Sequence, residues 1–505
     1  MSLIDVKNLT FYYEGSPENV FENISFQIDT DWKLGFIARN GKGKTTFLNL
    51  LLGNYEYIGK IVSSEQFEYF PYECKDKSKH TIDILEEWNP GYEFWKVTKE
   101  LALLQVNTDI WDRPFETLSH GEQTKVMLAV LFSKENQFLL IDEPTNHLDM
   151  DARSIISNYL NQKKGFIVVS HDRDFLDGCI DHVLSINRTS IEVVQGNFTS
   201  WWENKKLWDE YELNENTRLQ KNIRRLRESA YRTEKWAIEV ESTKIGKKSE
   251  KYEKNIGTRA YVGEKSRRMQ QRRKNLERRQ QKEIEEKSNL LKDVEVTEKL
   301  KLLPIPFHKE VLVEAVHLSL QYGSKIICED VNFTVRNGEC ILLQGGNGCG
   351  KSTILKKIVS DQSDNIKCCQ GELMLPEGLK ISYVSQDTSY LTGTLSDFIA
   401  AHQIEESILK QFLVKMDFSR ELFCGRMENY SEGQKKKVLL AKSMCEKAHL
   451  YIWDEPFNFI DVFSRIQIEE LIKTYRPAML LVEHDAAFAN AVAAKIINLG
   501  GEAKL

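Results

Sequence analysis

The stretch ILLQGGNGCGKST, residues 341–353, decides the fold of this chain. An apolar run at 341–343 leads into a glycine-rich loop, Gly345 to Ser352, that matches GxxxxGK[ST] in full. In such a loop the glycines let backbone amides approach phosphates, the lysine reaches the β- and γ-phosphates, and the serine is a ligand for Mg²⁺. The sequence therefore predicts a nucleotide-phosphate site between a buried strand and a helix. Its predicted contacts are Asn347, Gly348, Gly350, Lys351, Ser352 and Thr353.

The same motif occurs earlier in the chain, together with three further repeated blocks. NGKGKTT at 40–46 matches the loop and lies 307 residues before it. The other blocks follow in the same order, and their two copies are separated by 312 to 313 residues. These pairs are TLSHGEQ at 117–123 with NYSEGQ at 429–434, LLIDEPTNHLD at 139–149 with LYIWDEPFNFID at 450–461, and VVSHDRDF at 168–175 with LVEHDAAF at 481–488. The chain is thus predicted to hold two copies of one domain, at 1–202 and 305–505, joined by a bridge at 203–304.

Each copy is predicted to be an α/β domain with a parallel sheet. Apolar runs alternate with longer helical patterns in both copies, as is typical of that class. The first copy departs from the motif at Ala38, where a glycine is expected, which would strain the loop if that position needed a positive φ. The predicted nucleotide contacts there are Asn40, Gly41, Gly43, Lys44, Thr45 and Thr46, with Thr45 also a ligand for Mg²⁺.

The bridge is basic within an acidic protein. The chain has a net charge of −6, yet residues 221–280 contain 20 Lys and Arg against 8 Asp and Glu. A solvated helix face is the plain interpretation of a charge run. An excess of this size favours a polyanionic partner, most simply nucleic acid phosphate.

The bridge is also predicted to be a long helical hairpin. Leu219, Ile223, Leu226 and Ala230 recur at helical spacing, and a second apolar seam begins at Met269. Glycines separate the two stretches, so the tip is placed at about 244–264. The tip combines basic side chains with two tyrosines, which suits contact with RNA phosphates and bases, although a solvated loop has a similar composition.

Composition excludes several other classes of protein. The chain of 505 residues has no stretch of about 18 apolar residues, and its first ten residues lack the apolar core of a secretory signal. Its nine cysteines are scattered without a CxxC pair. We therefore expect a reduced, cytoplasmic protein without a membrane span.

Two acidic pairs and two histidines complete the predicted chemistry. Apolar strands end in Asp142-Glu143 and Asp454-Glu455, 98 and 103 residues after the motif lysines. At a strand end the aspartate can hold Mg²⁺ and the glutamate can orient or activate the attacking water, so both glutamates are predicted to be catalytic. His171 and His484 follow 28 and 29 residues later. They are predicted to contact the γ-phosphate, with a structural histidine as the alternative.

With Ser119-His120-Gly121-Glu122-Gln123 and Ser431-Glu432-Gly433-Gln434, both halves resemble the ABC ATPases, whose signature is LSGGQ. That resemblance implies a head-to-tail sandwich in which each nucleotide lies between the loop of one copy and the signature of the other. Lys44 would then face Ser431 and Gly433, and Lys351 would face Ser119 and Gly121. It also implies that Tyr13 and Tyr322 stack on adenine, unless they are core tyrosines, and that Gln386 is a Mg²⁺ ligand. Tyr72 occupies the corresponding place in the first copy, so the two sites are not expected to be equivalent.

Within the ABC ATPases the whole chain is similar to the ABC-F family. The features are two tandem domains, EPTNHLD at 143–149, the charged bridge and the absence of a membrane segment. The resemblance implies a monomeric ATPase that uses ATP and Mg²⁺ and binds the ribosome, at large-subunit rRNA and tRNA, through the bridge. The altered EPFNFID at 455–461 and the extended bridge look most like the antibiotic-resistance branch of Lsa type. Members of that branch protect ribosomes from lincosamides, pleuromutilins and streptogramin A.

Two other functions remain open on the sequence. One is a housekeeping ABC-F factor that acts on stalled ribosomes without any drug. The other is the ATPase subunit of a membrane exporter, for which a basic hairpin has no evident purpose.

Overall fold

A computed structural model of the chain describes residues 2–14, 19–135, 137–146, 148–186, 191–242, 300–323, 325–346, 348–359, 366–493 and 495–499, with 271, 274, 278, 279 and 282 in the bridge. The predicted hairpin tip and Asn347 lie outside these residues. The chain divides into two compact units, Met1–Trp201 with Glu298–Leu505, and Trp202–Thr297. Among the described residues, no helix has both the length and the apolar character needed to cross a bilayer.

The first copy is a mixed α/β domain. Its strands are β1 (Leu3–Phe11), β2 (Phe21–Asp29), β3 (Lys33–Ile37), β4 (Ile58–Val62), β5 (Gln66–Phe70), β6 (Gln137–Asp142), β7 (Phe166–Val169), β8 (His182–Ile186) and β9 (Ile191–Gln195). Its helices are α1 (Lys44–Leu51), α2 (Thr81–Trp88), α3 (Phe94–Leu103), α4 (His120–Ser133), α5 (Met150–Asn161) and α6 (Arg173–Cys179).

The second copy repeats this order of elements. Its strands are β10 (Val311–Tyr322), β11 (Lys325–Arg336), β12 (Cys340–Gln344), β13 (Ile366–Met374), β14 (Ile381–Val384), β15 (Leu450–Asp454), β16 (Met479–Val482) and β17 (Lys495–Asn498). Its helices are α8 (Lys351–Val359), α9 (Leu395–Ala401), α10 (Glu406–Lys415), α11 (Glu432–Cys445), α12 (Val462–Tyr475) and α13 (Ala486–Val492).

Each copy has a mostly parallel sheet that brings the predicted motifs to one edge. The order is β5-β6-β7-β3-β8-β9 in the first copy and β14-β15-β16-β12-β17 in the second. Among the strands that the structure describes in these two sheets, β9 alone is antiparallel to its neighbour. The glycine-rich loop follows β3 or β12, the acidic pair ends β6 or β15, and the histidine follows β7 or β16. Because parallel strands end at the same edge of a sheet, three distant sequence motifs meet there.

A second, antiparallel sheet covers each parallel sheet through an apolar core. The order is β2-β1-β4 in the first copy and β11-β10-β13 in the second. In the first copy, Phe47 of α1 lies between Phe21 of the small sheet and Phe36 of the large sheet, at ring distances of 6.1 and 5.5 Å. This packing fixes α1, and therefore the loop that precedes it, against both sheets.

The second unit is described mainly by the 45-residue helix α7 (Phe198–Ser242), which begins in the first unit. At about 1.5 Å per residue it is roughly 68 Å long. Ile223 is buried and Leu219 and Leu226 are half-buried, as helical spacing predicts for a seam, whereas Leu213 is exposed. The return arm of the predicted hairpin lies largely outside the described residues.

Candidate nucleotide-binding sites

We define site one by the loop lysine Lys44 and site two by Lys351. The Lys44 ammonium donates hydrogen bonds to the Ala38 carbonyl (2.8 Å) and to Asn40 Oδ1 (3.3 Å). Lys351 donates in the same way to the carbonyls of Gly345 (2.7 Å) and Gly346 (3.0 Å). Both ammonium groups therefore lie inside their own loops, with backbone oxygens where phosphate oxygens would be expected to bind.

Two features of the loops explain their sequences. Gly43 and Gly350 precede their helices at φ of 93° and 97°, and a Cβ at Gly350 would lie 2.8 Å from a methyl carbon of Ile327. Only glycine fits that position without strain. Ala38 is not among the residues with positive φ, and its carbonyl holds Lys44 as the Gly345 carbonyl holds Lys351. The departure at Ala38 therefore leaves the lysine contact intact.

The residues predicted to hold Mg²⁺ lie together in both sites. Ser352 Oγ donates to Asp454 Oδ1 at 3.0 Å, and Thr45 Oγ1 donates to Asp142 Oδ2 at 3.4 Å. Asp454 Oδ2 is buried and has no hydrogen-bond partner among the described residues. Burial raises the pKa of Asp454 to about 6, with the Ser352 hydroxyl opposing the shift. A buried oxygen without a partner, beside a hydroxyl ligand, fits a divalent cation, which would keep this carboxylate ionised.

The two glutamates have different surroundings. Glu455 Oε2 accepts hydrogen bonds from Gln386 and Asn458, each at 2.7 Å, and Glu455 Oε1 lies 3.6 Å from His484 Nε2. Burial raises the pKa of Glu455, but the bonds from His484, Gln386 and Asn458 outweigh it and hold the pKa below its usual value. Gln386 therefore contacts the glutamate through its amide nitrogen, and its role as a Mg²⁺ ligand stays a prediction.

In site one the corresponding glutamate, Glu143, has fewer hydrogen-bond partners among the described residues. Glu143 Oε1 lies 3.1 Å from His171 Nε2. Burial, together with the neighbouring charge of Asp142, raises the pKa of Glu143 to about 8. Burial also lowers the pKa of His171 well below its usual value, so this imidazole is neutral.

The signature segments start helices whose ends are firmly capped. Ser119 caps α4 and Ser431 caps α11, each with its side chain accepting the N–H of the third helical residue. Glu122 and Gln434 return the bond to the capping backbone, which completes a capping box in both copies. The positive end of each helix can attract an anion.

Site two is a cavity between the copies. It measures about 730 Å³, within the range of small-molecule sites. The first copy contributes His120 of the signature, with Leu148 and Arg153. The second copy contributes Ile326, Ile327, Gly348, Gly350, Lys351, Ser352, Thr353, Gln386, Glu455, Asn458 and His484. The structure thus places the loop of the second copy opposite the signature segment of the first.

Site one has the reciprocal arrangement. Asn40 Nδ2 donates to the Phe459 carbonyl of the second copy at 3.0 Å. The same carbonyl would lie 2.5 Å from a Cβ at Gly433, so the signature glycine and the opposite loop approach one segment of backbone. The loop of the first copy therefore lies beside the signature helix of the second.

Adenine stacking stays a prediction for Tyr13 and Tyr322, and the structure describes the surroundings of Tyr13 only. The Tyr13 hydroxyl shares a hydrogen bond with Thr46 Oγ1 at 2.7 Å, and its ring packs edge-on against Phe11. Tyr322 ends β10, but its side chain lies outside the described residues. In site two, the apolar wall of the cavity comes from Ile326 and Ile327.

Sequence reasoning missed two matched arginines, of which Arg153 connects the copies. Arg153 Nη1 donates to Asp172 Oδ2 (2.8 Å) and to the His484 carbonyl of the other copy (3.2 Å). Its counterpart Arg465 donates to the carbonyls of Ile460 and Phe457. Both arginines stand four residues after the final aspartate of a repeated block. Extending the repeat by four residues could have found them, although not their contacts.

Each copy has a parallel and an antiparallel sheet, and the glycine-rich loop of one copy faces the signature helix of the other. This arrangement defines a tandem nucleotide-binding protein. Comparison with known proteins gives the family. The ABC transporter family model matches residues 21–146 and 328–458, and the chain belongs to this family. With two such domains, the protein binds ATP and is an ATPase.

Two curated relatives extend over nearly the whole chain. The ATP-binding protein Uup of Buchnera aphidicola is 26% identical over 98% of this chain and 80% of its own length. The ribosome protection protein VmlR of Bacillus subtilis is 26% identical over 94% of this chain and 83% of its own length. Both relatives are ABC-F proteins.

Among solved structures, archaeal ABCE1 in complex with the ribosomal stalk protein aP1 shares the fold. The TM-score is 0.64 at 18% identity, over 98% of this chain and 88% of that one. At this identity the similarity concerns the fold alone.

Proposed function

We propose that this protein is an ABC-F ATPase that binds the ribosome and protects its large subunit from antibiotics. The drugs would be of the lincosamide, pleuromutilin and streptogramin A type, as in the Lsa branch, and the bridge would displace them from rRNA near tRNA. The observation that carries the proposal is the similarity to VmlR, a ribosome protection protein, over 94% of the chain. Such a protein would work in the cytoplasm as a monomer.

The geometry of the two sites supports ATP-dependent closure. Each site takes its loop from one copy and its signature from the other, so a nucleotide would contact both copies at once. Lys44 and Lys351 would bind phosphates, and Ser119 and Ser431 with their glycines would contact the γ-phosphate from across the interface. Thr45 with Asp142, and Ser352 with Asp454 and Gln386, would hold Mg²⁺, whose chemistry is to neutralise charge on the phosphates.

Hydrolysis would depend on the two glutamates and the two histidines. Glu455 would orient and activate the attacking water in site two, where Gln386 and Asn458 fix its carboxylate. Glu143 would take that role in site one. His171 and His484 would contact the γ-phosphate beside each glutamate.

The described face of the bridge suits a nucleic acid partner. Arg224, Arg225 and Arg227 are exposed on α7, and Arg224 has 83% of its side chain accessible. The exposed aromatic rings of Trp208 and Tyr211 lie on the same helix, with their centroids 6.3 Å apart. Basic and stacking groups on one long helix can bind phosphates and unpaired bases together.

Ribosome binding is tested by co-sedimentation. The double variant Glu143→Gln with Glu455→Gln should bind ATP, hydrolyse it very slowly and remain on ribosomes when ATP is present. Replacing Arg224, Arg225 and Arg227 by glutamate should weaken that binding. The slope of the logarithm of the binding constant against the logarithm of salt concentration should fall by the equivalent of about three phosphate contacts. A matched control reverses three exposed lysines of the first copy, Lys75, Lys77 and Lys99. Equal binding by both triple variants would contradict a role for the bridge.

Drug protection is tested by growth. A deletion of about five residues within 244–264 should abolish resistance to a lincosamide and a pleuromutilin while ATP turnover continues, because a shorter tip cannot reach the same RNA. Binding without any resistance in the wild type would favour the housekeeping factor. Absence of ribosome binding would leave the exporter subunit.

A further inference from the structure

Helix α11 of the second copy carries a buried lysine that faces the catalytic edge of its own sheet. Lys436 is only 2% exposed, and its ammonium donates to the Ser385 carbonyl at 2.7 Å and to the Asp454 carbonyl at 3.4 Å. Burial lowers the pKa of Lys436, which the charges of Asp454, Glu483, Glu455 and Glu432 oppose. A buried cation is costly unless it is well paired, so its bonds define its position closely.

The two carbonyls that Lys436 binds occupy special places. Ser385 immediately precedes Gln386, and Asp454 immediately precedes Glu455. Gln386 and Glu455 are themselves joined by a hydrogen bond of 2.7 Å. The ammonium therefore fixes the backbone directly before each member of this pair.

The first copy lacks this arrangement. Thr124 stands at the position of Lys436, and Tyr72 stands at the position of Gln386. The Tyr72 ring stacks on Trp88, with centroids 5.3 Å apart, instead of reaching the glutamate. The lysine and the glutamine thus occur together in one copy and are replaced together in the other.

We propose that Lys436 is a positioning residue for site two, which holds Gln386 and Glu455 in register for hydrolysis. The inference rests on the proposed role of Glu455. Lys436 acts through the backbone, and its hydrogen bonds to described residues go to two main-chain carbonyls outside the glycine-rich loop, so its loss affects turnover and not ATP binding.

The same helix also belongs to site one. Its first-turn Gly433 approaches the Phe459 carbonyl that Asn40 of the opposite loop binds. Gly433 and the capping residue Ser431 stand three and five residues before Lys436. Five residues of helix span about 7.5 Å. Helix α11 therefore connects the signature segment at site one with the backbone that precedes the Gln386–Glu455 pair of site two.

The test uses the full chain with Glu143→Gln as the parent, so that site two is measured alone. In this parent, Lys436→Met should lower kcat at least tenfold and change KM for ATP less than twofold. Lys436→Arg keeps a cationic N–H donor that is long enough to reach the same carbonyls and should restore kcat to within about threefold of the parent. Thr124→Ala, at the matched position of the first copy, should leave kcat within twofold.

The proposal is overturned if Lys436→Met keeps the parental kcat, if the loss appears in KM alone, or if Lys436→Arg is as inactive as Lys436→Met. Failure of the proposed role of Glu455 has a different signature. In that case Glu455→Gln itself leaves ATP turnover unchanged, whatever the result at Lys436.

Discussion

Site one and site two are built from the same repeated motifs, yet their glutamates differ. In site two, Glu455 is held by Gln386 and Asn458 and has a pKa below its usual value. In site one, burial and Asp142 raise the pKa of Glu143 to about 8, and Tyr72 points elsewhere. A motif alone therefore does not determine the state of its carboxylate; the partners supplied by other segments do.

The largest expected effect comes from replacing each of the two glutamates by glutamine, one at a time. Because the pKa of Glu143 is raised and that of Glu455 is lowered, Glu455 is the more fully ionised of the two and the more available proton acceptor near pH 7. Glu455→Gln should lower steady-state phosphate release about 10²- to 10⁴-fold, the usual contribution of a general base. Glu143→Gln should lower it less than threefold. ATP affinity, measured separately, should be unchanged in both, and equal losses in the two variants would contradict the comparison.

A smaller effect is expected from the buried ion pair of the second copy. Lys437 and Asp461 are 2% and 0% exposed and lie 3.0 Å apart, whereas Lys125, at the matched position of the first copy, is half-buried. Lys437→Met leaves a buried carboxylate without its cation and should lower the free energy of unfolding by about 3–5 kcal/mol. Lys125→Met should cost less than about 1 kcal/mol, as at a surface pair. Urea midpoints of the two variants measure the difference.

The same pair predicts a pH dependence. Burial raises the pKa of Asp461, but Lys437 and the Ser464 N–H outweigh it and hold the pKa well below its usual value of 3.8. A lowered carboxyl pKa stabilises the fold above the unfolded value, and the stabilisation is lost as the pH falls. The difference in stability between wild type and Lys437→Met should therefore shrink below about pH 4. A constant difference down to pH 3 would show that the charge is not its cause.

The smallest expected effect concerns Tyr72. Its hydroxyl is buried and has no hydrogen-bond partner among the described residues, whereas the Tyr69 hydroxyl donates to Asp142 at 3.1 Å. Tyr72→Phe should raise the free energy of unfolding by about 1 kcal/mol and leave ATP turnover unchanged. Tyr69→Phe should lower it by a similar amount. If Tyr72→Phe reduced turnover, Tyr72 would have to act in site one.

The sequence predicted the fold through its repeats. Two α/β domains followed from four blocks in one order, and the structure with the family match confirms tandem ABC domains. The positions of the loops, acidic pairs and histidines could also be predicted from the sequence, because each motif follows directly on a strand end. The sequence could not predict the direction of Tyr72, since stacking on Trp88 depends on packing between segments.

Contacts across the copies were beyond sequence reasoning for a related reason. Arg153 and His484 are separated by 331 residues. Lys436 donates hydrogen bonds to one segment that precedes its helix in the chain and to one that follows it. Neither residue belongs to a short pattern with a known role. Their functions depend on which backbone atoms the fold brings within hydrogen-bond distance.

One contact between the copies has a consequence for the history of the gene. Arg173 of the first copy donates to Glu469 of the second at 2.8 Å, but the matched positions hold Ala486 and Ser157. The pair therefore exists on one side of the pseudo-twofold axis only. Each half has become the specific complement of the other, so a chain made of two first halves or two second halves would lack a partner for this charge. At this contact the two halves of the chain are therefore no longer interchangeable.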